Sequence, residues 1–393
     1  MRRRLRIVAA VVGLSALGAY PAAGQGFVGL EPVTDGGLRA AIDRLGNLDY
    51  ETRMAAARTI RRTESERAVP ALLRAVAAHD DGYVRFRALV LLTGFNDPRT
   101  KAAMFDALVS PNDRLRAVAY GFFEHQPDPE VLPDLLAALD REFAEFVRPS
   151  LVRALAAHDD ERVRLVLTRE AGRGEDFFRS VVIEALGDYK AQYAFEAVRA
   201  IAALDGPLQD DAALALGKIG DRRALDVLSG LLRTTPRSRQ PAVATAICLL
   251  GADCSTHETD VIAAVAFADA TPGNQDLLRT SAAGLAALGV AGRITAVEAL
   301  FHIGIPSRDP TRAPVALAVA TVALRNTPLL LSVLTMHPAK GEAMALLAEG
   351  FDMLEEDLPK ERFFAVVRGR YWRSSRGSTE SELMQALITR LDF

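Results

Sequence analysis

Nine positions set the frame for this chain. Arg53, Arg85, Arg116, Arg148 and Arg179 are separated by 32, 31, 32 and 31 residues; Gln209 and Gln240 follow at 30 and 31, and Arg279 and Arg312 at 39 and 33. Their surroundings repeat too. Three residues after each rung stands an apolar residue: Ala56, Ala88, Ala119, Leu151, Val182, Ala212, Val243, Ala282 or Val315. Three or four residues before every rung except Gln240 stands an acid: Asp49, Asp81, Asp113, Glu145, Asp176, Asp205, Asp276 or Asp309. A period of about 20–50 residues restricts a chain to a stacked array of small units.

Each rung is read as the opening of a helix. The upstream acid is a natural N-cap for orphan backbone N–H groups. Apolar residues then recur at helical spacing, as in Val84, Ala88, Leu91 and Leu92. The intervals supply a partner helix, for example Ala68–Ala78, Lys101–Val109, Val131–Leu139, Ala194–Ala203 and Ala224–Leu232. Turn residues fall between them, as in Asn96-Asp97-Pro98 and Gly220-Asp221. Composition agrees: half the residues are hydrophobic, only 6% are aromatic, and Ala and Leu dominate, which suits packed helices. A lone helical hairpin cannot hide its apolar face, but stacked hairpins share a continuous core. The expectation is an all-α chain, an α-solenoid or superhelix of about 10–11 stacked helical hairpins with a period of about 31 residues.

The pattern D-x-x-V-R-x-x-A-x-x-A-L resembles that of the short HEAT-like repeats, the type also found in phycobilisome lyase subunits. It is carried by Asp81-Gly82-Tyr83-Val84-Arg85-Phe86-Arg87-Ala88, Asp113-Arg114-Leu115-Arg116-Ala117-Val118-Ala119 and Asp211 to Asp221. The likeness is good over residues 37–330 and loose over 331–393, which read as degenerate C-terminal repeats and a capping helix. The resemblance implies that the Arg/Gln ladder bonds neighbouring helix ends and acidic caps, tying repeat to repeat. The alternative role is an anion-binding stripe.

The interval from Gln240 to Arg279 is about eight residues too long, with the surplus near Gly251–Asp260. There it predicts a loop. Cys248 and Cys254, the only cysteines, flank its start and could pair as a disulfide. Other readings are two free thiols, or a metal site with His257 at a spacing that fits no common zinc pattern. His-Asp-Asp occurs at His79–Asp81 and His158–Asp160 in different phases of the repeat, so both read as turns. No phosphate loop, nucleophile elbow, HExxH or dinucleotide motif is present, so no catalytic residue, cofactor or metal is assigned. Near the C-terminus Arg370, Tyr371, Trp372 and Arg373 form a basic, aromatic cluster that reads as a cap or an interface. A polar stretch, Ser374–Ser381, then leads to a helix expected over Glu382–Leu391.

The N-terminal segment stands apart. Arg2, Arg3, Arg4 and Arg6 precede an apolar run from Ile7 to Ala19, followed by Pro21 and small residues to Gly24. This is the grammar of a signal peptide over 1–24, cleaved before Gln25, with a retained anchor as the alternative. Residues 25–36 read as a linker. Cleavage removes four arginines and no acid, moving the formal charge from −3 to −7, which disfavours general nucleic-acid binding. The reading is a non-catalytic binding or scaffolding protein of the periplasm or beyond, its partner another protein or peptide, with no membrane span after cleavage. An enzyme subunit or lyase-like chaperone and an oligomerisation element are the alternatives.

Overall fold

Every rung lies within the first five residues of a helix, and always in the second helix of a pair. The computed structural model describes residues 33–271, 273–354 and 357–393. The signal-peptide and cleavage expectations fall outside these residues, as does most of the expected linker. Helix α1 (Asp35–Arg44), capped by Thr34, begins inside that linker and pairs with α2 (Tyr50–Arg61). The next hairpins are α3 (Ser65–Ala78) with α4 (Gly82–Thr93), α5 (Arg99–Ala107) with α6 (Asp113–His125), and α7 (Leu132–Leu139) with α8 (Arg148–Ala156). Then come α9 (Glu161–Glu170) with α10 (Asp176–Asp188), α11 (Phe195–Ala202) with α12 (Gln209–Ile219), and α13 (Leu225–Thr234) with α14 (Gln240–Leu249). The series ends with α15 (Cys254–Ala270) and α16 (Gln275–Val290), α17 (Ile294–Gly304) and α18 (Arg312–Arg325), α19 (Thr327–Met336) and α20 (Lys340–Met353), and α21 (Asp357–Arg373) and α22 (Thr379–Arg390). Among the described residues these 22 α-helices form eleven hairpins and no strand.

The residue three places after each rung is buried in all nine copies, because it faces the neighbouring hairpin. The second helices pack closely on one another and form the inner row, while the first helices stand further apart. Small residues permit this. A Cβ on Gly187 of α10 would lie 2.9 Å from Ala215 Cα of α12, and one on Gly217 of α12 2.5 Å from Ala246 Cα of α14.

Three expectations change. The acids upstream cap a helix through their side chains only at Asp49 and Asp81. Asp113, Asp176 and Asp276 lie in the first helical turn, and Glu145, Asp205 and Asp309 precede the helix without capping it. The surplus after Gln240 is helix rather than loop. Residues 254–270 present Val261, Val265 and Ala268 to the core at helical spacing, so the extra residues lengthen α15 to 17 residues. A tight reversal precedes it, with Gly251 at φ 73° and Asp253 at φ 41°, both left-handed. Third, the final helix starts at Thr379, capped by Ser378, three residues earlier than expected.

The C-terminal part is not a simple lid on the last repeat. Helix α21 crosses back to the inner row and packs on α4, α6 and α18. Leu358 of α21 lies against Gly121 of α6, and Asp357 pairs with Arg87 of α4. Residues 33–393 therefore form one body in which the eleventh hairpin meets the first three.

Candidate functional site

Seven of the nine rungs donate to carbonyls at or just past the end of the preceding helix. Arg53 bonds Asn47 O at 2.7 Å and Leu48 O at 2.8 Å. Arg85 bonds Val76 O, Arg116 Ser110 O, and Arg179 Ala171 O. Gln209 bonds Ala202 O and Leu204 O, Gln240 bonds Thr235 O, and Arg312 bonds Gly304 O and Ile305 O. The last carbonyls of a helix lack intrahelical partners, and a long donor from the next helix satisfies them. The brace thus acts mainly within a hairpin. Only two rungs also bond an acid of the next hairpin's elements: Arg116 grips Glu142 at 2.7 and 2.9 Å, and Arg312 grips Glu349 at 2.6 and 2.8 Å. Arg148 instead lies over the Phe178 ring, 3.6 Å from its centroid, and exposed Arg279 faces Asp276 at 3.7 Å.

A second charged row runs along the inner helices. Arg153 of α8 donates through Nε to Glu124 Oε1 of α6 and through Nη1 to Asp188 Oδ2 of α10, both at 2.8 Å. Lys218 Nζ of α12 donates to Asp188 Oδ1 at 2.7 Å, and Tyr189 Oη to Glu124 Oε1 at 3.0 Å. Four consecutive hairpins are joined this way. Burial, the largest single influence, would raise Glu124, but Arg153, His125 and Arg325 together outweigh it and hold the carboxyl below its ordinary range. Asp188 is likewise lowered, its burial overcome by Lys218 and Arg153. These carboxylates are engaged by neighbouring cations, which suits bracing rather than proton transfer. Sequence reasoning missed this row. Its signal was a charged residue five to nine places after successive rungs, at Glu124, Arg153, Asp188 and Lys218.

His125, beside Glu124, is lowered to about 4, mainly by burial and further by Arg362, Arg325 and Arg153. A histidine whose folded value lies below its unfolded one stabilises the fold fully above about pH 6.5, and that contribution is lost as pH falls. His158 shifts in the same direction through burial. We therefore expect the thermal midpoint to drop between pH 7 and 5, where carboxylates remain ionised. His125→Gln should show a shallower drop; an identical slope in the variant would remove His125 from this account.

An open concavity lies at the junction of the seventh and eighth hairpins, where the period breaks. A cleft of about 370 Å³ is walled by Leu232, Pro241, Ala244, Val261, Ala264 and Leu277, with Arg237, Gln240 and Asp260 also lining it. Arg237 lies over the Phe267 ring at 4.2 Å. A smaller cleft of about 170 Å³ shares Arg237 and Leu277. At the same junction Cys248, near the end of α14, and Cys254, at the start of α15, are joined in a disulfide, which leaves no thiolate for a metal site with His257. Among the described residues no group of three or more His, Cys, Asp or Glu side chains is placed to hold a metal ion. In the C-terminal cluster Trp372 is half exposed against Tyr371, and Arg370 faces Glu380 at 3.7 Å. No single described helix is long and apolar enough to cross a membrane.

Helical hairpins stacked through an apolar core and braced by side chains on carbonyls define an α-solenoid. Residues 38–121 and 73–156 match the family model of HEAT repeats, and residues 208–234 match that of the PBS lyase HEAT-like repeat. These matches place HEAT repeats over residues 38–156 and a HEAT-like repeat over 208–234 of this chain. Among solved structures it is similar to Kap121p bound to Nup53p, at 12% identity and a TM-score of 0.38, over 91% of this chain and 45% of that one. It is also similar to Kap121p alone, at 11% identity and a TM-score of 0.31, over 91% and 50%. The chain spans about half the length of these structures. No curated protein matches its sequence.

Proposed function

We propose that this chain is an exported, non-catalytic scaffold that holds another protein or a peptide. One observation carries the reading: the inner-row charges brace the chain's own helices, while the cleft between the seventh and eighth hairpins is open and combines apolar side chains such as Leu232, Val261 and Leu277 with the polar Arg237, Gln240 and Asp260. An open cleft with both apolar and charged groups suits the docking of a partner's side chains. The disulfide supports export, because a bond of this kind persists in oxidising compartments. The signal-like segment before Gln25 points the same way.

The test is photo-cross-linking from position Ala263, on the cleft wall, in an extract of the cell envelope. We expect a discrete adduct that disappears in a Leu277→Glu variant. A chain that yields no adduct above background, and instead turns over members of a substrate panel, refutes the reading.

A further inference from the structure

Each hairpin reverses the chain, so the turns inside hairpins gather on one rim of the stack and the turns between hairpins on the other. The two rims differ chemically. Among the described residues nine large apolar side chains are more than half exposed, and eight of them lie in or at the edge of a turn inside a hairpin. Leu48, Val109, Phe143, Phe177, Leu204 and Met336 mark the first, third, fourth, fifth, sixth and tenth hairpins. The ninth, Leu165, lies in the middle of α9. The turns between hairpins carry none. Several are closed instead by local ion pairs, Asp97 with Arg99, Asp160 with Arg162 and Asp221 with Arg223.

In the fourth hairpin the usual polarity of a turn is inverted. Glu142 is buried at 5% exposure, while its neighbour Phe143 is 83% exposed and Phe146 is exposed too. The inversion is held by bonds: Arg116 grips Glu142 at 2.7 and 2.9 Å, and the Ala144 N–H donates to Glu142 Oε1 at 3.2 Å. A glutamate ordinarily stays in water and a phenylalanine leaves it. Here the acid anchors the turn from below and the rings stand outside. The fifth hairpin repeats the arrangement: Phe178 is buried beneath the Arg148 guanidinium, and the adjacent Phe177 points away from the core into solvent.

The spacing of these side chains indicates what they meet. They stand one or two to a hairpin, and packed helices lie about 10 Å apart. Exposed charges of both signs separate them, among them Arg141, Glu145, Arg173 and Glu175. Separate apolar points do not form the continuous apolar centre on which a protein partner packs. They suit a fluid surface that each point enters on its own, with the neighbouring charges left at the level of the headgroups. Because that charge is mixed, the apolar side chains and not an ionic attraction supply the affinity. We propose that the rim of turns inside hairpins rests on a lipid surface with zwitterionic headgroups, its exposed phenylalanines and aliphatic side chains entering the interface without any helix crossing the bilayer. This goes beyond the scaffold reading and depends neither on the cleft nor on its occupant.

The test is co-sedimentation with phosphatidylcholine vesicles. It uses residues 25–393, so that the apolar run Ile7–Ala19 cannot itself carry the chain to lipid while the body of residues 33–393 stays whole. This protein should pellet with the vesicles. Phe143→Ser, Phe146→Ser and Phe177→Ser combined should weaken partition on the order of 50-fold at unchanged helical content, since all three side chains are exposed. Leu165→Ser with Ile294→Ser, which removes exposed apolar groups away from this rim, should leave partition unchanged. Phosphatidylglycerol vesicles should hold the protein no more tightly, and added salt should not release it. A wild type that stays in solution, a triple variant that pellets as the wild type does, or binding confined to the anionic lipid overturns the proposal. Should the triple variant lose helical content, Phe143→Trp with Trp372→Phe decides instead: quenching of its emission by brominated lipid supports insertion, and unquenched emission overturns it. The vesicles contain no protein, so the outcome is separate from whether cross-linking at the cleft captures a partner.

Discussion

Gly217→Ala is expected to destabilise the protein by about 3 kcal/mol, although helix propensity alone argues for a gain of about 1 kcal/mol. The opposition comes from geometry. Gly217 sits in α12 where α14 crosses, and a methyl group there would lie 2.5 Å from Ala246 Cα and 2.7 Å from Ala246 O. Both are backbone atoms, so no rotamer change relieves the contact and the two helices must separate. Their neighbours are packed on either side, so the separation spreads to the flanking hairpins. Gly230, in α13, provides the control: a methyl group there meets nothing within 4 Å, and Gly230→Ala should be neutral or stabilising by up to about 1 kcal/mol. Urea denaturation of the two variants beside the wild type gives both numbers. A neutral Gly217→Ala would mean that the inner row is looser than described.

Arg153→Leu should cost about 3 kcal/mol at pH 7, by a different route. Arg153 is the donor shared by Glu124 and Asp188, and its own side chain is only 15% exposed. Without it Asp188 keeps Lys218, but Glu124 keeps only the Tyr189 hydroxyl among these bonds. The sign with pH follows from the carboxylate. In the wild type Glu124 is lowered, so its contribution is present above the unfolded value near 4.3 and is lost as pH falls through the folded value. In the variant burial persists without the arginine, which pushes Glu124 up and penalises its ionised form at neutral pH. The gap between wild type and variant should therefore shrink on going from pH 7 to pH 4. Glu124→Gln in the Arg153→Leu background should recover part of the loss. A gap independent of pH would assign the cost to lost packing alone.

The hairpins were legible because periodicity is a local signal repeated nine times: a long donor, an apolar residue three places on, and turn residues between. The caps were only half legible. Rungs at Arg53, Arg85, Arg116 and Arg179 occupy the fourth helical position, so the residue four places earlier is the N-cap, whether Asp49, Asp81, Asn112 or Glu175. Rungs at Arg148, Gln209, Gln240 and Arg312 are the first helical residue, and Pro149 and Pro241 show why. Proline favours the first turn, so helix and rung begin together and no place remains for an acid cap between them. The lengthened α15 was hidden because Cys254-Ser255-Thr256-His257 reads as a polar loop until its buried partners Val261 and Val265 are seen. The inner charged row left only a faint trace, a charged residue five to nine places after successive rungs, and the seam between the last hairpin and the first three left none. Glu124 and Glu361 have the sequence context of surface residues, and only the fold reveals that they are buried, Glu361 beside an arginine 300 positions away.

That long-distance pairing constrains how such a molecule can evolve. An array with free ends tolerates duplication or loss of a unit, since each copy answers only to its immediate neighbours. Here Arg61 must find Glu361 and Arg87 must find Asp357 after the chain has gone all the way round. One unit more or fewer would turn the last helix away from both arginines at once. Copy number in this lineage should accordingly be held fixed, while length changes are absorbed inside individual helices, as the 17-residue α15 already illustrates.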